Sequence, residues 1–166
     1  MFPPALIDLS TQVLGTCKAR DLTIATAESC TGGLIAGTLT EIAGSSAVVD
    51  RGFVTYTNAA KSDLLGVPAA LLNDPAIGAV SEPVARLMAL GVLARTGAQI
   101  ALSATGIAGP GGATATKPVG LVFIGCARRG RPPVVERHVF PGDRSAVRLA
   151  TVTRALELCL AAAEGV

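Results

Sequence analysis

Tyr56 and Lys61 stand five residues apart at an expected strand-to-helix junction; the chain holds one tyrosine, and its only other lysines are Lys18 and Lys117. A lysine beside a low-dielectric pocket sheds its proton more readily, and at a pKa of ~7–8 it serves as a general base. Ser45 and Ser46 lie just before the strand that leads to Tyr56. A hydroxyl activated by lysine is a nucleophile for acyl transfer. An exposed lysine beside a half-buried tyrosine is the ordinary alternative. Cys30 offers a second route, because a thiolate at a helix N-terminus has a lowered pKa. No histidine stands near it in sequence, and a small buried residue is its competing role.

Two Gly-rich turns follow expected strands: Ser29 to Gly33, and Thr105 to Gly112. In an open α/β sheet, ligands gather beyond the carboxyl ends of the strands. Glycine lets backbone approach a ligand, and helix N-termini offer free N–H groups to anions. If the two strands are parallel neighbours, both turns line one crevice, suited to a phosphate-bearing small molecule. Taken singly, either turn serves tight packing equally well. Neither turn is a P-loop, since no Gly-Lys-Ser/Thr follows, and neither has G-x-G-x-x-G spacing. A Tyr–Lys reductase needs Tyr-x-x-x-Lys on one helix face; here the spacing is one residue longer and a dinucleotide turn is missing.

Scarce residues close other routes. His138 is the only histidine and sits in the alternating run Val134 to Phe140, which reads as a strand. Cys17, Cys30, Cys126 and Cys159 are separated by 13, 96 and 33 residues, so no C-x-x-C pair exists for zinc. No metal and no cofactor is expected. Net charge is +2, and Arg128-Arg129-Gly130-Arg131 reads as a solvated turn. One tyrosine, four phenylalanines and no tryptophan leave little surface for stacking single-stranded nucleic acid. The Met-Phe-Pro-Pro start lacks signal-peptide character, and no apolar run approaches the ~18 residues of a membrane span. The reading is a cytoplasmic protein without a nucleic-acid or membrane partner. Half the residues are hydrophobic and 16% are charged, with mean hydropathy +0.54, which excludes disorder and points to a buried core. The 166 residues suit one domain.

The elements that must position these residues follow from periodicity. Residues 4–20 have helical spacing, and Leu22 to Ala27 reads as a buried strand. A helix follows from Leu34 and stops at Gly44. Ala47 to Thr57 reads as one strand, or two broken around Arg51-Gly52. Asn58 starts a short helix. Ser81 is a good N-cap for the next helix, and Gln99 to Ala104 is a buried strand. Thr105 to Gly112 breaks regular structure, and residues 111–117 read as the most mobile loop. Val119 to Ala127 and Val134 to Phe140 form an expected β-hairpin, and Gly142-Asp143 caps a closing helix. The order predicts helices on both faces of one mixed sheet.

Several motifs together resemble the CinA carboxy-terminal domain family. They are Ala27 to Gly33, Gly44-Ser45-Ser46, Arg51 to Asn58 followed by Lys61, and Gly78 to Val84. Gly106 to Gly112, Lys117-Pro118-Val119-Gly120 and Gly142-Asp143-Arg144 complete them, in one order over about residues 5–160. The resemblance implies a three-layer α/β/α sandwich with a mixed, mostly parallel sheet, no metal, and homodimerisation. It implies hydrolysis of nicotinamide mononucleotide to nicotinate mononucleotide and ammonia, in pyridine nucleotide salvage. Carried over by motif, Ser46 is the nucleophile, with Lys61 and Tyr56 activating it, and Ser29 remains the other serine in contention. Thr31, Gly32 and Gly33 line the first turn. Ser103, Thr105, Gly106 and Gly109 line the pocket, and Arg144 meets the phosphate. The absence of the extra amino-terminal domain of longer members favours the stand-alone amidase. A catalytically inactive nucleotide-binding module tied to competence or DNA damage is the alternative.

Overall fold

The computed structural model describes residues 1–165. The elements are α1 (Pro4–Ala19), β1 (Ile24–Glu28), α2 (Leu34–Thr40), a 3-10 turn (Ser45–Ala47), β2 (Val49–Val54), α3 (Asn58–Leu65) and α4 (Ala69–Asn73). They continue with α5 (Glu82–Arg95), β3 (Ile100–Gly106), β4 (Leu121–Arg128), β5 (Val134–Val139) and α6 (Arg144–Glu164). The sheet order is β2-β1-β3-β4-β5, with β1 parallel to both β2 and β3, and β4 antiparallel to β3 and β5. Four strands therefore point one way and β4 alone runs against them. The parallel pairing of β1 with β3 puts the two Gly-rich turns side by side at the carboxyl ends.

Strand alternation divides the core into two layers. Ile24, Ile100, Leu102, Ile124 and Cys126 pack with Leu14, Ile35, Val152 and Leu156 from α1, α2 and α6. Ala25, Ala27, Ala101 and Ala127 face Leu65, Val84, Met88 and Val92 from α3 and α5. The second face carries small side chains, so α5 lies close against it. A Cβ on Gly125 would collide with Ser103 Oγ and approach Ala85 O to 3.0 Å.

Several expectations change. β3 runs on through Thr105 and Gly106, because both pair with β4 at Phe123 and Val122. β2 is one strand, with a register irregularity near its start opposite Ile24/Ala25. α4 is a five-residue helix too short to leave a periodic signal. Ser81 stands at the N-cap of α5, yet its hydroxyl donates back to Gly78 O at 2.8 Å and does not cap the helix. Thr57 caps α3 through Ala60 N at 3.1 Å, and Asp143 caps α6 through Ala146 N at 2.9 Å. The basic turn is not simply solvated. Arg128 donates to Ala162 O, Arg129 to Ala98 O, Leu93 O and Thr96 O, and Arg131 to Gly165 O, tying the turn to the ends of α5 and α6. Thr114 and Lys117 close the 111–117 loop on each other, and Lys117 Nζ reaches Ile77 O. His138 lies on β5, bonded to Glu136 at 2.7 Å and stacked on Phe140. All four cysteines are buried and free. Among the described residues, no helix is long and apolar enough to cross a membrane, and no cluster of three metal-ligating side chains occurs.

Candidate active site

Ser29 is the first residue past β1, immediately after Glu28. The parallel register pairs Glu28 with Val54, and Thr55 N donates to Glu28 O at 2.8 Å. Ser29 and Thr55 therefore emerge at the same level of the sheet. Ser29 falls on the face that carries Ala25 and Ala27, beneath α3. Thr57 starts α3, and one turn later Lys61 turns back toward the strand ends. Its Nζ donates to Ser29 Oγ at 2.9 Å, Thr55 O at 2.8 Å and Tyr56 O at 3.4 Å. The side chain is 1% exposed and has no carboxylate partner among the described residues. Burial disfavours the ammonium, so the Lys61 pKa lies below the usual lysine value of 10.5. A buried amine held on a hydroxyl in this way can take that hydroxyl's proton.

These groups open on a cleft of about 250 Å³, lined by Ser29, Lys61, Tyr56, Asn58, Thr105 and Arg144 among others. Gly106 and Ala108 form its floor on the second turn, and Ala79 and Val80 the wall before α5. Arg144 comes from the first residue of α6 and donates to Gly109 O and to Tyr56 Oη, both at 3.0 Å. One guanidinium thus holds the second turn and the tyrosine across the cleft mouth. Gly109 takes φ +86°, and a Cβ there would drive into the Val119 side chain. Thr105 lines the cleft while donating to Ala79 O at 2.8 Å.

The first turn is fixed from below by a residue absent from the expected set. Glu28 is 1% exposed and accepts from Gly33 N at 3.1 Å, Ile35 N at 3.0 Å and Ala36 N at 2.9 Å, and from Thr26 Oγ1 at 3.2 Å. Its carboxylate satisfies the free N–H groups that open α2. Gly32 at φ +60° and Gly33 at φ +98° provide the left-handed backbone that the turn requires. Thr31 is fully buried, and its hydroxyl has no partner among the described residues. Thr31 and the two glycines shape the turn and do not line the cleft.

Two expected residues lie elsewhere. Ser46 sits in the 3-10 turn among Thr23, Val48, Asp50 and Gly97, at the amino ends of the strands. Thr23 and Ser29 bracket the whole of β1, so Ser46 is roughly 20 Å from Lys61 at ~3.3 Å per strand residue. The structure does not bring Ser46 to the base. Ser103 is fully buried against α5, donating to Ala85 O at 2.7 Å, and is a packing residue that never reaches the cleft. Tyr56 is at the mouth, 58% exposed, and meets Lys61 through its carbonyl, not through its phenol. Cys30 borders the cleft, but burial pushes its thiol up to about 11, the reverse of an activated thiolate. Asn58 also lines the cleft and is absent from the expected site residues, although it belongs to the Arg51–Asn58 motif that precedes Lys61.

A model of the CinA C-terminal domain matches residues 6–163. Nicotinamide-nucleotide amidohydrolase PncC of Enterobacter agglomerans is 50% identical over 155 residues, covering 93% of each chain. A CinA-like protein of Mycobacterium sp. (strain JLS) is 58% identical over 137 residues; they are 82% of this chain and 32% of that longer protein. The crystal structure of competence/damage inducible protein CihA from Agrobacterium tumefaciens superimposes with a TM-score of 0.94 at 50% identity, covering 99% of this chain and 98% of that one. With a family match over nearly its full length and relatives at this identity, the chain belongs to the CinA C-terminal domain family.

Proposed function

We propose that the chain hydrolyses the carboxamide of nicotinamide mononucleotide to nicotinate mononucleotide and ammonia, with Ser29 as nucleophile and Lys61 as its base. The 2.9 Å hydrogen bond between Lys61 Nζ and Ser29 Oγ, inside the cleft, carries this reading. The half-identical Enterobacter agglomerans relative bears the name of that activity. Neutral Lys61 takes the Ser29 proton as Oγ attacks the carboxamide carbon. The oxyanion forms next to the N–H of Cys30, the usual position for a donor that follows a nucleophile. The Lys61 ammonium returns its proton to the departing amine, ammonia leaves, and an ester remains on Ser29. Water, deprotonated by Lys61, then attacks the ester; nicotinate mononucleotide leaves and Ser29 regains its proton. Arg144 supports the reading from the other side, because its guanidinium stands at the mouth where it can turn to a substrate phosphate.

The test is direct. The pure protein incubated with nicotinamide mononucleotide is expected to release ammonia and nicotinate mononucleotide in equal amounts. Saturable binding of the mononucleotide without ammonia would instead support the inactive nucleotide-binding module.

A further inference from the structure

Arg148 lies outside the cleft, and nothing in the reaction above uses it. It follows Arg144 by one helical turn, so both side chains leave the same face of α6. Its Nη2 donates to Thr31 O at 2.9 Å. The guanidinium lies over the first Gly-rich turn so closely that a Cβ on Gly32 would sit 3.5 Å from Nη2. Arg148 Nε and Thr31 Oγ1 are both buried and without a partner among the described residues. A charged group kept half-buried for one carbonyl costs more than a solvated arginine would, and that carbonyl belongs to the turn bearing Ser29.

We infer that Arg148 is a positioning residue that holds the Ser29–Gly33 turn against α6, and with it the Ser29 hydroxyl at the cleft. The inference rests on the proposed role of Ser29. Glu28 anchors the turn at Gly33 from the α2 side, and Arg148 anchors it at Thr31 from the α6 side. Arg144, on the same helix, holds Gly109 and Tyr56. One rigid helix thereby sets the distance between the nucleophile turn and the mouth where the phosphate would dock.

Two readouts on Arg148→Met, Arg148→Lys and the parent test this. On nicotinamide mononucleotide, Arg148→Met should lower kcat by 10- to 100-fold while KM stays within about two-fold, since the residue does not touch substrate. Arg148→Lys, which keeps a cationic donor without the planar fork, should recover part of the loss. Hydrogen exchange on the intact proteins should rise at least ten-fold in the peptide spanning residues 29–33 of Arg148→Met, with α5 and β3 unchanged. Unchanged exchange in that peptide, or a full kcat in Arg148→Met, overturns the inference. If the parent fails to release ammonia, the amidase reading fails, and exchange alone still decides whether Arg148 fixes the turn. If Arg148→Met does not fold, the same criteria apply to Arg148→Lys, with a smaller rise.

Discussion

Lys61 concentrates the chemistry at the residue scale, and its identity can be tested by charge. Lys61→Arg keeps a cation but cannot give up its proton near neutral pH. Both Lys61→Ala and Lys61→Arg should lose about 10²–10⁴-fold in kcat while the far-UV spectrum is kept; substantial turnover by Lys61→Arg would rule out a lysine base. The pH dependence has a definite sign. The neutral amine is the active form, so kcat/KM should rise with pH and level off below the ordinary lysine value of 10.5, because burial lowers the Lys61 pKa. The unfolded chain retains a proton that the folded chain sheds, so stability also rises with pH across the window ending at 10.5. Arg144 yields a second residue-scale expectation. Arg144→Ala should cost the mononucleotide roughly 1.5–3 kcal/mol for each charge-assisted hydrogen bond to the phosphate and leave the riboside, which lacks a phosphate, almost untouched. Equal reductions of kcat/KM on both substrates would mean that Arg144 only braces Gly109 and Tyr56.

Elements bring these residues together, and here the sequence was partly legible. The hairpin and the cap at Asp143 were readable because each is local, whereas Ser81 holds the N-cap position of α5 without capping it through its hydroxyl. The position of Ser46 was not. It lies closer to Tyr56 in sequence than Ser29 does, but β2 carries the chain from one end of the sheet to the other. Ser29, 32 residues before Lys61, reaches it because β1 ends level with Thr55 on the neighbouring parallel strand. Periodicity reports the strands, not which two are neighbours. Ser103 was misplaced for a related reason: alternation through β3 turns its hydroxyl to α5. Glu28 is the element-scale counterpart, a buried carboxylate that unites β1 with the start of α2. Glu28→Gln replaces an acceptor oxygen by an NH2 facing N–H donors, and should lower stability by about 1–3 kcal/mol in urea unfolding. On the far edge, Arg154 and His138 pull the Glu136 pKa down to about 2, and the Arg154–Glu136 pair binds α6 to β5. That contribution is complete above the ordinary glutamate value and is lost as pH falls toward 2, so Glu136→Gln should flatten the acid side of a stability–pH curve.

At the scale of the whole molecule, the parallel strands make the two ends of the sheet unlike. Their carboxyl ends hold the Gly-rich turns, Lys61 and the first turn of α6, all converging on one cleft. Their amino ends hold the 3-10 turn with Ser46, Asp50 and no amine among the residues lining that surface. The composition, rich in alanine and glycine, allows α5 and both turns to pack this closely, though composition alone could not say which end carries the site. Ammonia release from nicotinamide mononucleotide by Ser29→Ala and Ser46→Ala, measured beside the parent protein, distinguishes the ends most directly. Ser29→Ala should fall at least a thousand-fold and Ser46→Ala should stay within two-fold of the parent; a dead Ser46→Ala beside an active Ser29→Ala would place the nucleophile at the other end of the sheet.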